Sequence, residues 1–475
     1  ADAAGVAALA AAARAEGMAL APRGGGMSYT GGFQAAGERP VVAVDLRDLD
    51  AVEIDSEARV ARVGAGATWA ALYEAAAEHG LRAPFFGPLS GLTATVGGAL
   101  SQNGAFFGSG AEGYAAQSVV GLQVADGTGR LIRLGAEAAG VHPALPWLGP
   151  GLLQSFLGDN GALGLKTEAL IRLRPTPPAP RFASYAFDDA ASLARAQTAL
   201  ADVPHLAEVW AFDREAHEGL ARTGFSVLET AAMAGEVAGA AGGVFAAARR
   251  LAEAAVIRRA VLTEIAWSLH LVIEPPLASL ADPVAEAAQA AVLAAGGRAI
   301  PDAVPRATRA RPFRAIKALI GPEGERWLPC HGVVPAAQAA ETLAEVEAWK
   351  ARRADDLAAH GIRVSLLLAS VGAEIIVEPQ LHWPDALSAH QRAFGTPRQV
   401  QAHADRPARP EARARAAEAR AELIELFRRR GAGRLQIGRR YAYAEDLEPA
   451  TLSALRALKR ALDPDGVLNP GVLGL

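Results

Sequence analysis

The sequence predicts an α+β protein in two parts, and three observations carry that expectation. Over residues 1–173, short strands and helices alternate with glycine-rich turns. RPTPPAP at 174–180 then interrupts the chain. Its four prolines continue neither a helix nor a central strand, so it reads as a linker. Beyond it, residues 181–430 alternate long Ala/Glu/Arg helices with a few strands.

The elements follow in order. Residues 3–16 carry a helical pattern, and GMALAPR is a short strand that runs into three glycines. VVAVDL, AVEID and ARVGAG are three more strands. TWAALYEAAAEHG has apolar residues at helical spacing, Thr68 in the N-cap position and a glycine stop. The stretch 87–113 is rich in Gly, Ser and Thr and has little periodicity. SVVGLQVADGTGRLIRLG alternates around Asp126-Gly127, the pattern of a hairpin. GALGLKTEALIRLRP is a glycine-rich turn entering a strand. In the second part, IAWSLHLVIEP, WLPCHGVVP, RVSLLLAS and AEIIVEPQLHW are the strands. Residues 404–430 form an Arg-rich amphipathic helix with a solvated face. The tail LKRALDPDGVLNPGVLGL is a helix ending in two turn signals, and no internal repeat is evident.

A chain of 475 residues, 51% apolar, holds two or three domains with sizeable cores. The net charge of −4 gives no electrostatic reason to expect nucleic acid as a partner. The single Cys330 excludes an internal disulfide framework and a cysteine-rich metal site. The ten His are scattered without ligand spacing, so no catalytic metal is expected. No run of about 18 apolar residues occurs, so no transmembrane segment is expected. The chain starts directly in an Ala-rich helical pattern, with no signal-peptide layout and no initiator Met. The cytoplasm is the default location, with peripheral membrane association left open.

APRGGGMSYTGG, at 21–32, places three glycines after a short strand, the way backbone N–H groups are brought onto a phosphate. It is not a Rossmann fingerprint: GAGATW at 64–69 has only two of the three glycines, and RGGGMSY is not followed by a helix. A Walker A motif is absent. Four glycine-rich stretches remain, all before the linker: PRGGGMSY, GPLSGLTATVGGALSQNGAFFGSG, ADGTG and GDNGALGLKT. The second is dominated by small residues, with Ser101, Gln102 and Asn103 offering hydrogen bonds. Such a stretch suits a backbone laid against a large flat ligand with polar edges.

In this order the motifs resemble the vanillyl-alcohol oxidase / p-cresol methylhydroxylase (PCMH-type) family of FAD-linked oxidoreductases. The signposts are the loop Arg23–Tyr29, TVGGALSQNG at 95–104, GDNGALGLKTEALIRLRP at 158–175 and LDPDGVLNPG at 462–471. The resemblance implies a two-part PCMH-type FAD-binding domain plus a cap domain with an antiparallel sheet flanked by helices. It sets the FAD-binding domain at 1–176, the cap at 177–437 and the C-terminal return at 438–475. It implies that Arg23, Gly24, Gly25, Gly26, Ser28 and Tyr29 form the pyrophosphate loop. Pro88, Gly97, Gly98, Ser101, Asn103 and Gly104 would line the flavin and ribityl chain. Gly164 and Leu165 would approach the adenine side, and Asn469 would close the isoalloxazine end. Some relatives attach flavin to a His at the position of Met27, which Met cannot do. Others attach it through a cap residue, and His331 beside Cys330 sits near that place. Non-covalent FAD is the expectation, with a link through His331 as the alternative. The metal motif of some D-lactate dehydrogenases in this superfamily is missing.

The redox step then belongs to the flavin, and the protein supplies orientation, a base and charge. A 2-hydroxy acid needs a cation for its carboxylate and a base for its hydroxyl proton. AEIIVEPQLHW alternates so that Glu374, Ile376, Glu378, Gln380 and His382 share one face. His382 is the first candidate base, and His270, which shares a face with Ser268, is the second. Arg440 and Tyr441 in QIGRRYAYAEDL are candidates for a substrate anion or phenolate, with Arg439 as competitor. Arg306, Arg309, Arg311 and Arg314 read as an exposed basic loop. The leading reading is an FAD-dependent dehydrogenase of a D-2-hydroxy acid such as D-lactate or glycolate. The alternatives are oxidation of a 4-alkylphenol or vanillyl-type alcohol, and a flavin-binding subunit without turnover. The implied partners are a small-molecule substrate and an electron acceptor (quinone, cytochrome or oxygen), within a chain whose relatives are often homodimers.

Overall fold

The computed structural model describes residues 2–34, 36–145, 149–223, 265–313 and 319–475. The chain divides into two compact units, Ala1–Thr176 with Arg434–Leu475, and Pro177–Gly433. It leaves the first unit inside the proline cluster and re-enters it at Arg434, so QIGRRYAY and the tail lie in the first unit.

The first unit opens on the helix Ala3–Ala15, capped by the Asp2 carboxylate, which accepts the Gly5 N–H at 2.7 Å. Its buried face packs on Leu20, Val44, Leu165, Val467 and Leu468. β1 (Ala19–Arg23) pairs in parallel with β2 (Val41–Asp45). The C-terminal tail pairs with β1 as well: the Leu20 N–H donates to Val467 O at 2.7 Å, and the Asn469 N–H to Leu20 O at 2.8 Å. Residues from both ends of the chain therefore share one strand alignment.

The next strands are β3 (Val52–Asp55), β4 (Val60–Gly64), β5 (Leu81–Arg82), β6 (Val119–Ala125), β7 (Leu131–Gly135), β8 (Leu165–Arg172) and β9 (Arg174–Pro175). Five of them form an antiparallel sheet in the order β3-β4-β8-β6-β7, and β5 pairs with β9. The β6–β7 turn is held by Asp126, whose carboxylate accepts the N–H groups of Thr128 and Arg130. Thr68 caps the helix Trp69–Ala77 as its sequence implies, accepting the Ala71 N–H at 3.1 Å. The stretch 87–113, which showed little periodicity, contains the helix Val96–Gln102. Its two glycines hid it, but Thr95 caps its start and Asn103, in the left-handed region at φ 49°, ends it.

A buried ion pair fixes the turn before β8. Lys166 Nζ donates to Asp159, both side chains are almost fully enclosed, and Asp159 also accepts the N–H groups of Gly161 and Leu163. Lys166→Met is expected to lower stability by about 3–5 kcal/mol, because it strands a buried carboxylate. Urea unfolding checks this, and adding Asp159→Asn to the same chain is expected to recover part of the loss.

The second unit is one antiparallel sheet with helices on a face. Its strands are β10 (Arg181–Phe187), β11 (Leu206–Asp213), β12 (Trp267–Ile273), β13 (Arg298–Ile300), β14 (Glu325–Pro329), β15 (Gly332–Pro335), β16 (Arg363–Val371) and β17 (Glu374–Pro384). The order is β13-β10-β12-β11-β16-β17-β14, and β15 also pairs with β17. The helices Ala190–Leu200, Ala281–Ala294, Ala339–Ala359 and Pro410–Arg429 supply Leu193, Val284, Leu343 and Leu423 to a core with Leu269, Leu271, Val377, Leu381 and Trp383.

Two readings of this unit need correction. WLPCHGVVP is two strands, not one, split at Cys330-His331. The Cys330 N–H donates to Pro379 O at 3.0 Å, but Pro379 has no N–H to return, so the ladder lapses there. Of the arginines read as an exposed loop, Arg306 and Arg309 lie on a helix, while Arg311 just beyond it is exposed. Arg309 ends a helix, Ala303–Ala310, and is clamped between Glu208 and Glu274, its side chain 11% exposed. Arg306 pairs with Asp302, and Arg314 lies outside the described residues.

Candidate functional site

The glycine-rich stretches that lie far apart in sequence meet in the first unit. A Cβ on Gly24 would stand 2.1 Å from Thr95 Oγ1, and one on Gly25 1.8 Å from Thr93 O. Only glycine lets the 24–26 loop rest on the segment that starts the helix Val96–Gln102. Gly26 takes φ +70°, the left-handed region, which turns the loop. Among the described residues, the N–H groups of Gly24, Gly25 and Met27 make no hydrogen bond. A row of unspent donors on a glycine loop is the arrangement that receives a phosphate. The loop thus fits the pyrophosphate of a dinucleotide. Ser28 Oγ lies 3.2 Å from Thr30 Oγ1, so this hydroxyl is shared with its neighbour.

A polar knot ties the loops together. Asn469 Nδ2 donates to Gly32 O and to Asn160 O, both at 2.7 Å. Asn469 Oδ1 accepts from Arg439 Nη2 at 2.6 Å. Arg439 also donates to Gln34 O and Pro470 O, and burial holds its guanidinium below its usual range. Gln102 Nε2 donates to Asn160 Oδ1, and Gln102 Oε1 accepts from Thr30 Oγ1 at 3.3 Å. Every polar atom of the Asn469 amide is spent on protein. Asn469 therefore positions the 30–34 and 158–161 loops. Thr30, Gln102 and Asn160 share that work. Asn160 had a legible signal, the Asp-Asn-Gly turn, and Arg439 stood in the sequence only as a competitor for substrate.

The other expected cofactor residues fall as follows. Gly97 is wedged against Ala65, where a Cβ would come within 2.6 Å of the Ala65 Cβ. The N–H groups of Gly97 and Gly98 are spent on Ala65 O and Thr95 Oγ1. Both glycines therefore serve helix packing and capping. Ser101 and Asn103 close that helix: the Ser101 carbonyl accepts the Asn160 N–H, and Asn103 Oδ1 accepts the Ala116 N–H at 3.1 Å. Gly104 leaves room, with nothing nearer a Cβ than 3.9 Å. Pro88 starts a turn whose Gly91 N–H returns to its carbonyl. Gly164 packs on Phe156 and Val124, and the Leu165 side chain is fully buried in the core.

In the second unit the alternation of β17 holds. Ile375, Val377, Leu381 and Trp383 enter the core, and Glu378, Gln380 and His382 share the opposite face. These polar groups form a chain. His331 Nε2 is 3.1 Å from Glu378 Oε2, and Gln380 Nε2 donates to Glu378 Oε1 at 2.6 Å. Ser365 Oγ donates to Gln380 Oε1 at 3.4 Å and sits 2.9 Å from His382 Nε2. His382 is half-buried and His331 fully enclosed. Burial pushes the neighbouring Cys330 thiol up to about 12, so it stays protonated.

His270 is not a base for this chemistry. Its side chain is enclosed, Nδ1 lies 2.9 Å from Ser184 Oγ and Nε2 2.9 Å from Ser268 Oγ. Ser268 Oγ in turn lies 2.7 Å from His217 Nε2. Burial, reinforced by His217, lowers His270 to about 3, and burial lowers His217 to about 4. Both rings stay neutral while the unfolded chain takes up protons below pH about 6.5. Stability is therefore expected to fall with pH from about 6.5 downward, by about 1.4 kcal/mol per unit for each ring. The loss is complete only near the folded values. Urea midpoints between pH about 7 and about 5 test this, and His270→Asn is expected to flatten the slope while lowering the plateau.

Of the four candidate catalytic residues, His382 and His270 lie in the second unit and Arg440 and Tyr441 in the first. His382 and His270 stand on strands separated by β11 and β16, and the register puts His270 in the row of Ile376, six residues along β17 from His382. Tyr441 is 4% exposed and Arg440 is exposed beside it.

A glycine loop with unspent donors, closed by the chain's own tail and carried on a small antiparallel sheet, defines a PCMH-type FAD-binding fold. Residues 1–135 match the family described as FAD binding domain, and residues 431–473 the family described as FAD linked oxidases, C-terminal domain. Residues 136–430 lie outside both matches. D-lactate dehydrogenase of Archaeoglobus fulgidus is 34% identical over 154 residues, 32% of this chain and 32% of that protein. Glycolate oxidase subunit GlcD of Escherichia coli K12 is 30% identical over 182 residues, 38% of this chain and 34% of that protein. The matches span about a third of the length of these curated relatives. The structure of p-cresol methylhydroxylase with substrate bound aligns over 99% of this chain and 87% of that one, with a TM-score of 0.72 at 17% identity, and shares the fold. Among the described residues, no helix is long and apolar enough to cross a membrane, and no group of three or more His, Cys, Asp or Glu is arranged to hold a metal.

Proposed function

We propose that this chain is an FAD-dependent oxidoreductase that oxidises a small D-2-hydroxy acid of the D-lactate or glycolate type. The observation that carries the reading is the loop whose Gly24, Gly25 and Met27 N–H groups make no hydrogen bond among the described residues, in a chain whose sequence relatives include a D-lactate dehydrogenase and a glycolate oxidase subunit. Residues 24–27 hold the pyrophosphate, and the Asn469–Arg439 knot fixes the loops around it. Bound FAD supplies a hydride acceptor for the substrate C–H bond. His382 takes the hydroxyl proton, and Ser365 fixes the tilt of its ring. The products are the 2-oxo acid, a proton on His382 and a reduced cofactor. FAD is held non-covalently: Met27 offers no attachment atom, and His331 Nε2 is engaged by Glu378. A quinone, a cytochrome or oxygen then takes the electrons.

Anaerobic bleaching of the visible flavin band tests this. D-Lactate, glycolate and D-2-hydroxyglutarate are offered first, then vanillyl alcohol and 4-ethylphenol. Bleaching by a D-hydroxy acid alone is the expected result. Bleaching by a phenol alone overturns the substrate class, and a protein that takes up no FAD overturns the whole reading.

A further inference from the structure

The first unit carries a concave basic groove beside the Asn469–Arg439 knot. It has a volume of about 940 Å³, and its lining includes Arg439, Arg440, Ser453, Arg456 and Arg460, with Glu445 the one acid. One wall is the helix Pro449–Leu462, and Arg439 and Arg440 come from the segment that precedes it.

Two cations of that helix, Arg456 and Arg460, line the groove. Some arginines of the chain are matched to carboxylates, as Arg62 is to Glu137 and Glu168, Arg363 to Glu215 and Glu325, and Arg413 to Asp385. Lys459 is matched as well, donating to Asp463 and to the carbonyls of Ala162 and Leu468. Arg456 and Arg460 are exposed, and among the described residues neither has a carboxylate partner. They stand one helical turn apart, a spacing at which like charges disfavour the helix. The helix dipole accounts for a cation in the last turn, where Arg460 sits, but not for Arg456 a turn earlier. Two guanidiniums on one stripe, with Ser453 in the same lining, offer donors to an anion of more than one charge.

We propose that this groove is a binding site for a small polyanion, a phosphate ester or a polycarboxylate, held by Arg456 and Arg460. Arg439 reaches from the groove to Asn469 and so to the loops around Gly32 and Asn160. A ligand there would press on the residue that knots the cradle.

The test is calorimetric titration of the FAD-saturated protein with pyrophosphate and with citrate, at constant ionic strength, with chloride and acetate as controls. One saturable site per chain is expected. Arg456→Gln with Arg460→Gln is expected to weaken it at least about tenfold, with FAD content and the flavin spectrum unchanged. Tighter binding of pyrophosphate assigns the site to phosphate esters, and tighter binding of citrate to polycarboxylates. Heats no different from the chloride control, or equal binding by the double variant, overturn the proposal. Because the readout is binding to two surface arginines, it stands or falls apart from the substrate assigned above.

Discussion

Gly25→Ala is expected to cost the protein its FAD. The added methyl would stand 1.8 Å from the Thr93 carbonyl oxygen and 2.7 Å from its carbon, both of them backbone atoms. Neither can move aside as a flexible side chain does, so the 24–26 loop must lift from the 93–95 segment. Overpacking of this kind costs about 1–3 kcal/mol. Here the displaced element is the one proposed above to hold the pyrophosphate, so the cost should appear in cofactor binding, as roughly 10- to 100-fold weaker FAD affinity. Fluorescence titration of the apoprotein with FAD measures it. Gly104→Ala is the contrast, because its new methyl meets nothing closer than 3.9 Å. Equal FAD affinity in Gly25→Ala and the parent chain would remove this loop from the cofactor site.

That contrast also shows what the sequence could and could not disclose. The glycine stretches, their order and the tail motif were visible as patterns, because turns that need glycine leave a local mark. What each glycine does was not visible. Gly97 and Gly25 look alike in sequence, yet one packs a helix on Ala65 and the other seats a loop on Thr93. The strand faces of β17 were legible, since alternation is a local property. The partners of the histidines were not. His270 and His382 both sit on strands beside polar residues, and only the cross-strand register separates them. Ser184 and Ser268 hold both ring nitrogens of an enclosed His270, whereas His382, beside Ser365, is half-buried. Arg439 shows the same limit. A lone arginine in GRRY carries no mark of the three acceptors, Gln34, Asn469 and Pro470, that the fold brings to it from both ends of the chain.

His382→Gln is expected to lower kcat for a D-hydroxy acid by about 10²- to 10⁴-fold, the usual worth of a positioned general base. Glutamine keeps a side-chain amide that can meet the Ser365 hydroxyl, so the polar chain along β17 survives, but it cannot accept a proton. The loss should therefore fall on kcat, with KM and the flavin spectrum little changed. Ser365→Ala should act in the same direction and more weakly, because it frees the ring without removing the base. His270→Asn supplies the opposite expectation: its effect belongs to stability and its pH dependence, and turnover per folded molecule at neutral pH should hold. The three variants together separate a base from a ring that merely looks like one. If His382→Gln retains turnover within about tenfold of the parent, the proton leaves by another group, and the polar face of β17 is a structural ladder that ties β17 to β16.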